Sequence, residues 1–266
     1  MSHSAETARR YPPPAMLGPR AIAWWSLRTM TDAVVVDGLE NVPRTGPVML
    51  AARHYHHLLD GAVLTARVPR PVHILVALDW AENRRQRRWM ERACAAARWP
   101  VILRPESTGR SGGYAAAEVG RYLRSGLRDA AALLRDGRVL AIFPEGHPVV
   151  DRPAPHAPNN AHRTAPAGGV ANRTGTVTAE DVQTGVADRS RSASRDADGF
   201  LPFAAGFRTI IGLARRAGSE RIAVVPVGFR YEARGRRWRI TARFGAPLAD
   251  DAELATVESA VRELSR

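Results

Sequence analysis

Three histidines and one aspartate crowd into the run Arg53-His54-Tyr55-His56-His57-Leu58-Leu59-Asp60-Gly61. An imidazole titrates near neutral pH and can take the proton of an attacking hydroxyl. A carboxylate on its second nitrogen fixes the tautomer and stabilises the imidazolium that forms. Histidine with aspartate is therefore a minimal base for acyl transfer. The same residues would equally suit a metal site or the start of a solvated helix. A second cluster, Ala141-Ile142-Phe143-Pro144-Glu145-Gly146-His147, brings a carboxylate to the end of an apolar run. Open α/β sheets bind ligands at the carboxyl ends of their strands, although a solvated Glu145 capping a strand is the plainer reading. A third feature is Arg104, which ends Pro100-Val101-Ile102-Leu103-Arg104 and offers a planar fork suited to phosphate.

These residues need a scaffold, and the chain supplies short apolar runs alternating with helical patterns. The runs are AVVV at 33 to 36, PVMLA at 47 to 51, VHILV at 72 to 76, PVILR at 100 to 104, RVLAIF at 138 to 143 and IAVVPVGF at 222 to 229. Rich in valine and isoleucine and bounded by Gly, Pro and charge, they fit strands buried on both faces. The segments 81 to 98 and 113 to 135 are long enough for covering helices, with further helices expected over 207 to 217 and 251 to 265, the last capped by Asp250 or Asp251. This order implies an α/β domain with a central mixed, mostly parallel sheet covered by helices. Ahead of it, Ile22 to Met30 reads as an amphipathic helix carrying Trp24 and Trp25. That helix would either anchor the protein at a lipid interface or pack on the domain's own core.

Residues 1–17 and 148–198 break the pattern. Both are poor in large apolar side chains, and neither can bury enough surface to offset its chain entropy. They are expected to be a disordered N-terminus and a disordered insertion, leaving residues 18–147 and 199–266 as one domain. A hydrophobic share of 45% suffices for a real core. The net charge of +13 comes from arginine alone, since the chain has no lysine, and it favours anionic partners. The lone cysteine, Cys94, excludes an internal disulfide framework and points to a reducing compartment. No stretch reaches the roughly 18 apolar residues that span a bilayer, and the N-terminus has no signal-peptide core. The expectation is a cytoplasmic protein lying on the inner face of the membrane.

Taken in order, the clusters resemble the motif blocks of the lysophospholipid acyltransferase family. Gly38 to His54 (GLENVPRTGPVMLAARH) is similar to that family's approach to its catalytic histidine. PVILRPES at 100 to 107 resembles the second block, FPEG at 143 to 146 the third, and IAVVPVGF at 222 to 229 the fourth. GFLPFAAGF at 199 to 207 and FGAPL at 244 to 248 also look like family segments. The resemblance implies that a histidine base held by Asp60 moves a fatty acyl group from acyl-CoA or acyl carrier protein to a hydroxyl of a lysophospholipid or glycerol phosphate. It further implies that Arg104 and the Phe143-Pro144-Glu145-Gly146 turn bind the acceptor, and that no cofactor or metal takes part. The expected partners are the membrane surface and the two substrates, not nucleic acid.

Two departures bear on these roles. The family's histidine stands five positions before its aspartate, and here that position is Tyr55. Alignment from the strand side makes His54 the base with one extra loop residue, whereas alignment from the helix side favours His56 or His57. His54 is preferred, because a loop absorbs a residue more easily than a packed strand does. After FPEG the family continues Thr-Arg, but this chain has His147-Pro148, so Arg152 or another arginine would have to supply the missing phosphate ligand.

Rival readings exist. His56-x-x-x-Asp60-Gly61 matches the short motif of acyltransferases resembling chloramphenicol acetyltransferase, with His56 as base and no role for FPEG. A degenerate basic protein binding anionic surfaces or nucleic acid is the alternative outside enzymes. Other conspicuous residues have plain readings: Cys94 as a buried thiol, His73 as a satisfied core histidine, Arg84 to Trp89 as a solvated or membrane-facing helix surface, and Gly109 to Gly113 as a linker without the ending of a phosphate loop.

Overall fold

The run Val-Met-Leu-Ala-Ala at 48 to 52 has no polar residue on either face, and a strand of that kind is stable only where both faces are covered. A computed structural model, which describes residues 18–78, 84–104, 114–149, 195–196 and 198–266, places it at the middle of a six-stranded sheet. In chain order the elements are α1 (Pro19–Met30), β1 (Thr31–Asp37), a 3-10 turn (Leu39–Asn41), β2 (Val48–Ala52), α2 (Leu59–Arg67), β3 (Val72–Ile74), β4 (Val76–Ala77), α3 (Arg84–Ala97) and β5 (Val101–Ile102). Then follow α4 (Ala116–Arg135), β6 (Val139–Ile142), α5 (Gly206–Arg216), β7 (Ala223–Arg234), β8 (Arg237–Phe244) and α6 (Leu254–Leu264).

The strand order is β1-β8-β7-β2-β6-β3, and every pairing is parallel except the β7–β8 hairpin. The mixed, mostly parallel sheet expected from the sequence is therefore what forms. Alternation along β2 divides the core. Val48, Leu50 and Ala52 face α1, α2 and the inner side of the hairpin, while Met49 and Ala51 face α4, α5 and α6. At roughly 25 cal/mol for each Å² of apolar surface removed from water, two covered faces supply most of the driving force for the fold.

Three local expectations are corrected. VHILV is not one strand: Leu75 still donates to Ala141, but Val76 donates to Pro100, so the chain leaves β6 there and starts a separate two-stranded sheet, β4 with β5. PVILR accordingly lies in that small sheet and not in the large one, with its own core of Leu78, Leu103, Tyr114 and Val119. The last helix starts at Leu254 behind Glu253, and neither Asp250 nor Asp251 caps it; Asp250 instead accepts the backbone N–H of Ile222 at 3.1 Å. That bond ties the lead-in to β7, where a buried amide needs a partner more than an exposed helix end does.

The plain readings of two residues hold. Cys94 is buried within α3, and burial pushes its thiol up to about 11. His73 is buried with Nδ1 3.1 Å from the Arg98 carbonyl. On α3, Arg85, Arg88 and Trp89 are exposed, whereas Arg87 turns inward to Glu118 at 2.9 Å and over the Tyr114 ring. Residues 1–17, the segment Gly109 to Gly113, Arg152 and most of 148–198 lie outside the described residues.

Candidate active site

β7 is more than twice as long as β2, and the excess shapes the site. Its first residues pair with β2 as far as Val227, whose carbonyl takes the Arg53 N–H at 3.0 Å. Beyond that point β2 has ended, and β7 continues with β8 alone. The chain leaving β2 therefore arches beside the overhanging half of β7 before it enters α2.

At the root of that arch is His54. Its Nδ1 lies 3.1 Å from Asp60 Oδ2, its side chain keeps 15% of its exposure, and that of Asp60 keeps none. Asp60 sits in the first turn of α2 and receives three further bonds: from Tyr55 N at 2.7 Å and His56 N at 2.9 Å on Oδ2, and from the Tyr231 hydroxyl at 2.5 Å on Oδ1. The backbone between His54 and Asp60 thus wraps two of its amides around the carboxylate. With Nδ1–H donated to a carboxylate, Nε2 is the nitrogen that can take a proton. The imidazole stacks on Phe143, with centroids 4.4 Å apart, which fixes the ring plane from the β6 side.

His56 and His57 are placed differently. His56 is fully buried, and its Nδ1 accepts the N–H groups of Leu58 at 3.2 Å and Leu59 at 3.4 Å. It therefore serves amides that a helix start leaves without intrahelical partners. Burial, then the neighbouring His57, pushes its pKa down, so it stays neutral. A buried ring already accepting at Nδ1 does not fit the base of the His-x-x-x-Asp-Gly reading. His57 is exposed and stacks on His56 at 4.7 Å. Among the described residues no group of three His, Cys, Asp or Glu side chains could hold a metal ion.

The β6 turn closes the other side. Glu145 is buried, with Oε1 accepting the His54 backbone N–H at 2.9 Å and Oε2 accepting Leu201 N at 3.1 Å. Burial raises its pKa, opposed by those two backbone bonds and by Arg53 and Arg195. Gly146 has φ of +75°, a region in which a side chain would be strained, and its carbonyl takes Arg104 Nη1 at 2.6 Å. Arg104 also lies against the exposed His147 ring. Pro144 is buried, and its carbonyl accepts the Ala204 amide. His54, Asp60, Phe143, Glu145, Gly146 and Arg104 are thus linked through direct contacts, with Pro144 in the turn that joins them. His56 forms the wall, and His57 lies outside.

Several residues of the site were missed in the sequence. Arg53 is buried with its guanidinium 3.8 Å from the Phe200 ring centroid and Nη2 on the Asp198 carbonyl. Arg195 reaches the carbonyls of His147, Pro148 and Gly199, and its Nη1 is 3.6 Å from Glu145. Tyr231 lies 171 residues from its partner Asp60. The one signal for Tyr231 was the alternation Val225, Val227, Phe229, Tyr231, which puts them on one face of β7.

Comparison with known proteins gives three results. A family model described as Acyltransferase matches residues 33–230. No curated protein matches the chain. Among solved structures, the 1-acyl-sn-glycerophosphate (LPA) acyltransferase PlsC from Thermotoga maritima is similar, with 16% identity and a TM-score of 0.49 over 91% of this chain and 74% of that one.

Proposed function

Since this chain belongs to the Acyltransferase family, we propose that it moves a fatty acyl group from acyl-CoA or acyl carrier protein to a hydroxyl of a lysophospholipid or glycerol phosphate. The observation that carries the reading is the His54–Asp60 contact at 3.1 Å, made at the mouth of β2 with the imidazole partly exposed and its partner carboxylate buried. His54 Nε2 takes the proton of the acceptor hydroxyl as its oxygen bonds to the thioester carbonyl carbon. The carbon–sulfur bond then breaks, and the imidazolium hands that proton to the departing sulfur, which leaves as the thiol. No covalent enzyme intermediate is needed. Asp60 stabilises the imidazolium formed midway.

Arg104 supplies charge-assisted bonds to the acceptor phosphate, and Gly146 and Phe143 shape the turn against which the acceptor lies. Glu145 acts through the His54 backbone, because both of its oxygens accept main-chain amides. Holding the hydroxyl within reach of Nε2 is the orientation part of the rate gain. We further place the protein on the cytoplasmic face of an anionic membrane. Supporting this are Ile22 and Trp25 on α1 and Trp89 on α3, each more than 60% exposed, together with the net charge of +13. Among the described residues no helix is long and apolar enough to cross a bilayer.

The test is to incubate purified protein with long-chain acyl-CoA or acyl carrier protein and a panel of lysolipids and glycerol phosphate. Acylated products are identified by mass. A single acylated acceptor class is expected, and absence of product from every donor and acceptor pair overturns the reading.

A further inference from the structure

The carboxylate that holds His54 is itself held from the opposite side. Oδ2 of Asp60 is saturated by the His54 ring and the Tyr55 and His56 amides, so Oδ1 is the oxygen left to satisfy in a fully buried residue. The Tyr231 hydroxyl fills it at 2.5 Å. Tyr231 is itself positioned with care: its ring stacks on Tyr55 at 4.4 Å and 9°, and Trp238 of β8 meets its edge at 5.7 Å. The overhang of β7 past β2 allows this reach, since a strand ending level with β2 would stop before residue 231.

We propose that Tyr231 is a positioning residue of the transfer reaction, which sets the orientation and charge of Asp60 and through it the basicity of His54. This inference rests on His54 being the base. Two consequences follow from the one hydrogen bond. Without the hydroxyl, Oδ1 is a buried oxygen lacking a donor, and the three bonds on Oδ2 are left alone to hold the carboxylate against the ring. The hydroxyl also draws negative charge from the carboxylate, so it limits how far Asp60 stabilises the imidazolium, and its loss makes His54 harder to deprotonate.

Burial and the neighbouring Asp60 charge push the Tyr231 phenol well above its ordinary value, so it stays a donor at working pH. The other titratable or charged groups around this pair are Arg53, His56, His57 and Tyr55 on the arch, and Glu145 and Arg195 across from it. All of them are retained in the variants below.

The experiment uses the full chain with Tyr231→Phe and, separately, 3-fluorotyrosine at 231, whose more acidic hydroxyl is a stronger donor. The pKa of His54 is read by NMR on protein labelled with ¹⁵N-histidine, its signal identified by disappearance in His54→Gln. In Tyr231→Phe it should rise by about half a unit or more, and in the fluorinated protein it should fall. In turnover, Tyr231→Phe should lower kcat on the order of 10-fold, leave both KM values unchanged and move the acid limb of the pH profile upward. A structural role alone would lower the melting temperature without moving the limb or the NMR titration. An unmoved His54 titration in both proteins overturns the proposal. The NMR arm needs no turnover, so it still decides the matter if no acyl transfer is found. If Tyr231→Phe fails to fold, the fluorinated protein, which keeps the hydroxyl, carries the test.

Discussion

Glu145 Oε1 accepts the backbone N–H of His54 at 2.9 Å, so the histidine is gripped by two carboxylates, one at its main chain and one at its ring. In the proposed reaction the ring contact governs where protons go. The main-chain contact governs where the ring stands, and it joins the β2 arch to the β6 turn without passing through any substrate.

Glu145→Gln separates positioning from acceptor binding. The amide offers one acceptor where two are needed and turns an NH2 group toward the N–H of either His54 or Leu201. Leaving a buried amide unpaired costs about 1–3 kcal/mol, which a urea titration would read. Turnover should fall chiefly in kcat. A large rise in acceptor KM with kcat unchanged would instead place Glu145 on the substrate.

Alanine at each histidine should give three different phenotypes. His54→Ala should lower kcat by roughly 10²–10⁴ with a smaller change in melting than His56→Ala, because the buried Asp60 keeps the Tyr55 and His56 amides and the Tyr231 hydroxyl as donors. His57→Ala, at an exposed position, should stay near wild type in both respects. His56→Ala removes the acceptor of two α2 amides and should cost about 1–3 kcal/mol of stability. Kinetics beside thermal melts distinguish the three, and loss of chemistry without loss of stability in His56→Ala would move the base there.

Gly126 of α4 lets the helix approach β5: a Cβ there would stand 2.3 Å from the Val101 carbonyl oxygen and 2.7 Å from the Ile102 side chain. Gly126→Ala must push the strand away, at about 1–3 kcal/mol of overpacking. Because Arg104 follows that strand, acceptor KM should rise more than donor KM. Equal effects on both would detach Arg104 from acceptor binding.

The Cys94 thiol, buried and pushed up to about 11, is almost entirely protonated at pH 8. A thiol reagent such as dithionitrobenzoate should leave the folded protein unmodified at that pH and react with one equivalent after urea unfolding. Fast reaction in the native state would contradict the burial.

Much of this molecule could be read from local pattern. Val48 to Ala52 announces a strand covered on both sides because no polar residue interrupts it, and the His54 and Asp60 types are the right ones for a base and its partner whatever their distance. A paired strand is stiff and a loop is slack, which is the sequence's ground for favouring His54; that the Tyr55 and His56 amides close on Asp60 is visible only in the fold. Hydrophobic periodicity depends on near neighbours, so it survives in a bare string of letters.

What periodicity cannot carry is pairing at a distance. VHILV looks like one strand, but only the rival ladders of β6 and β5 make the chain change sheets at Leu75. Glu145 looks like a solvated turn residue until the amides of His54 and Leu201, far away along the chain, meet it in the buried interior. Tyr231 reads as the tail of a strand, and its contact with Asp60 exists because β7 outruns β2, a difference in strand length that appears once both are laid in one sheet. Side chains of ordinary type become parts of a site when folding removes the water between them, and that requires the whole sheet to be assembled.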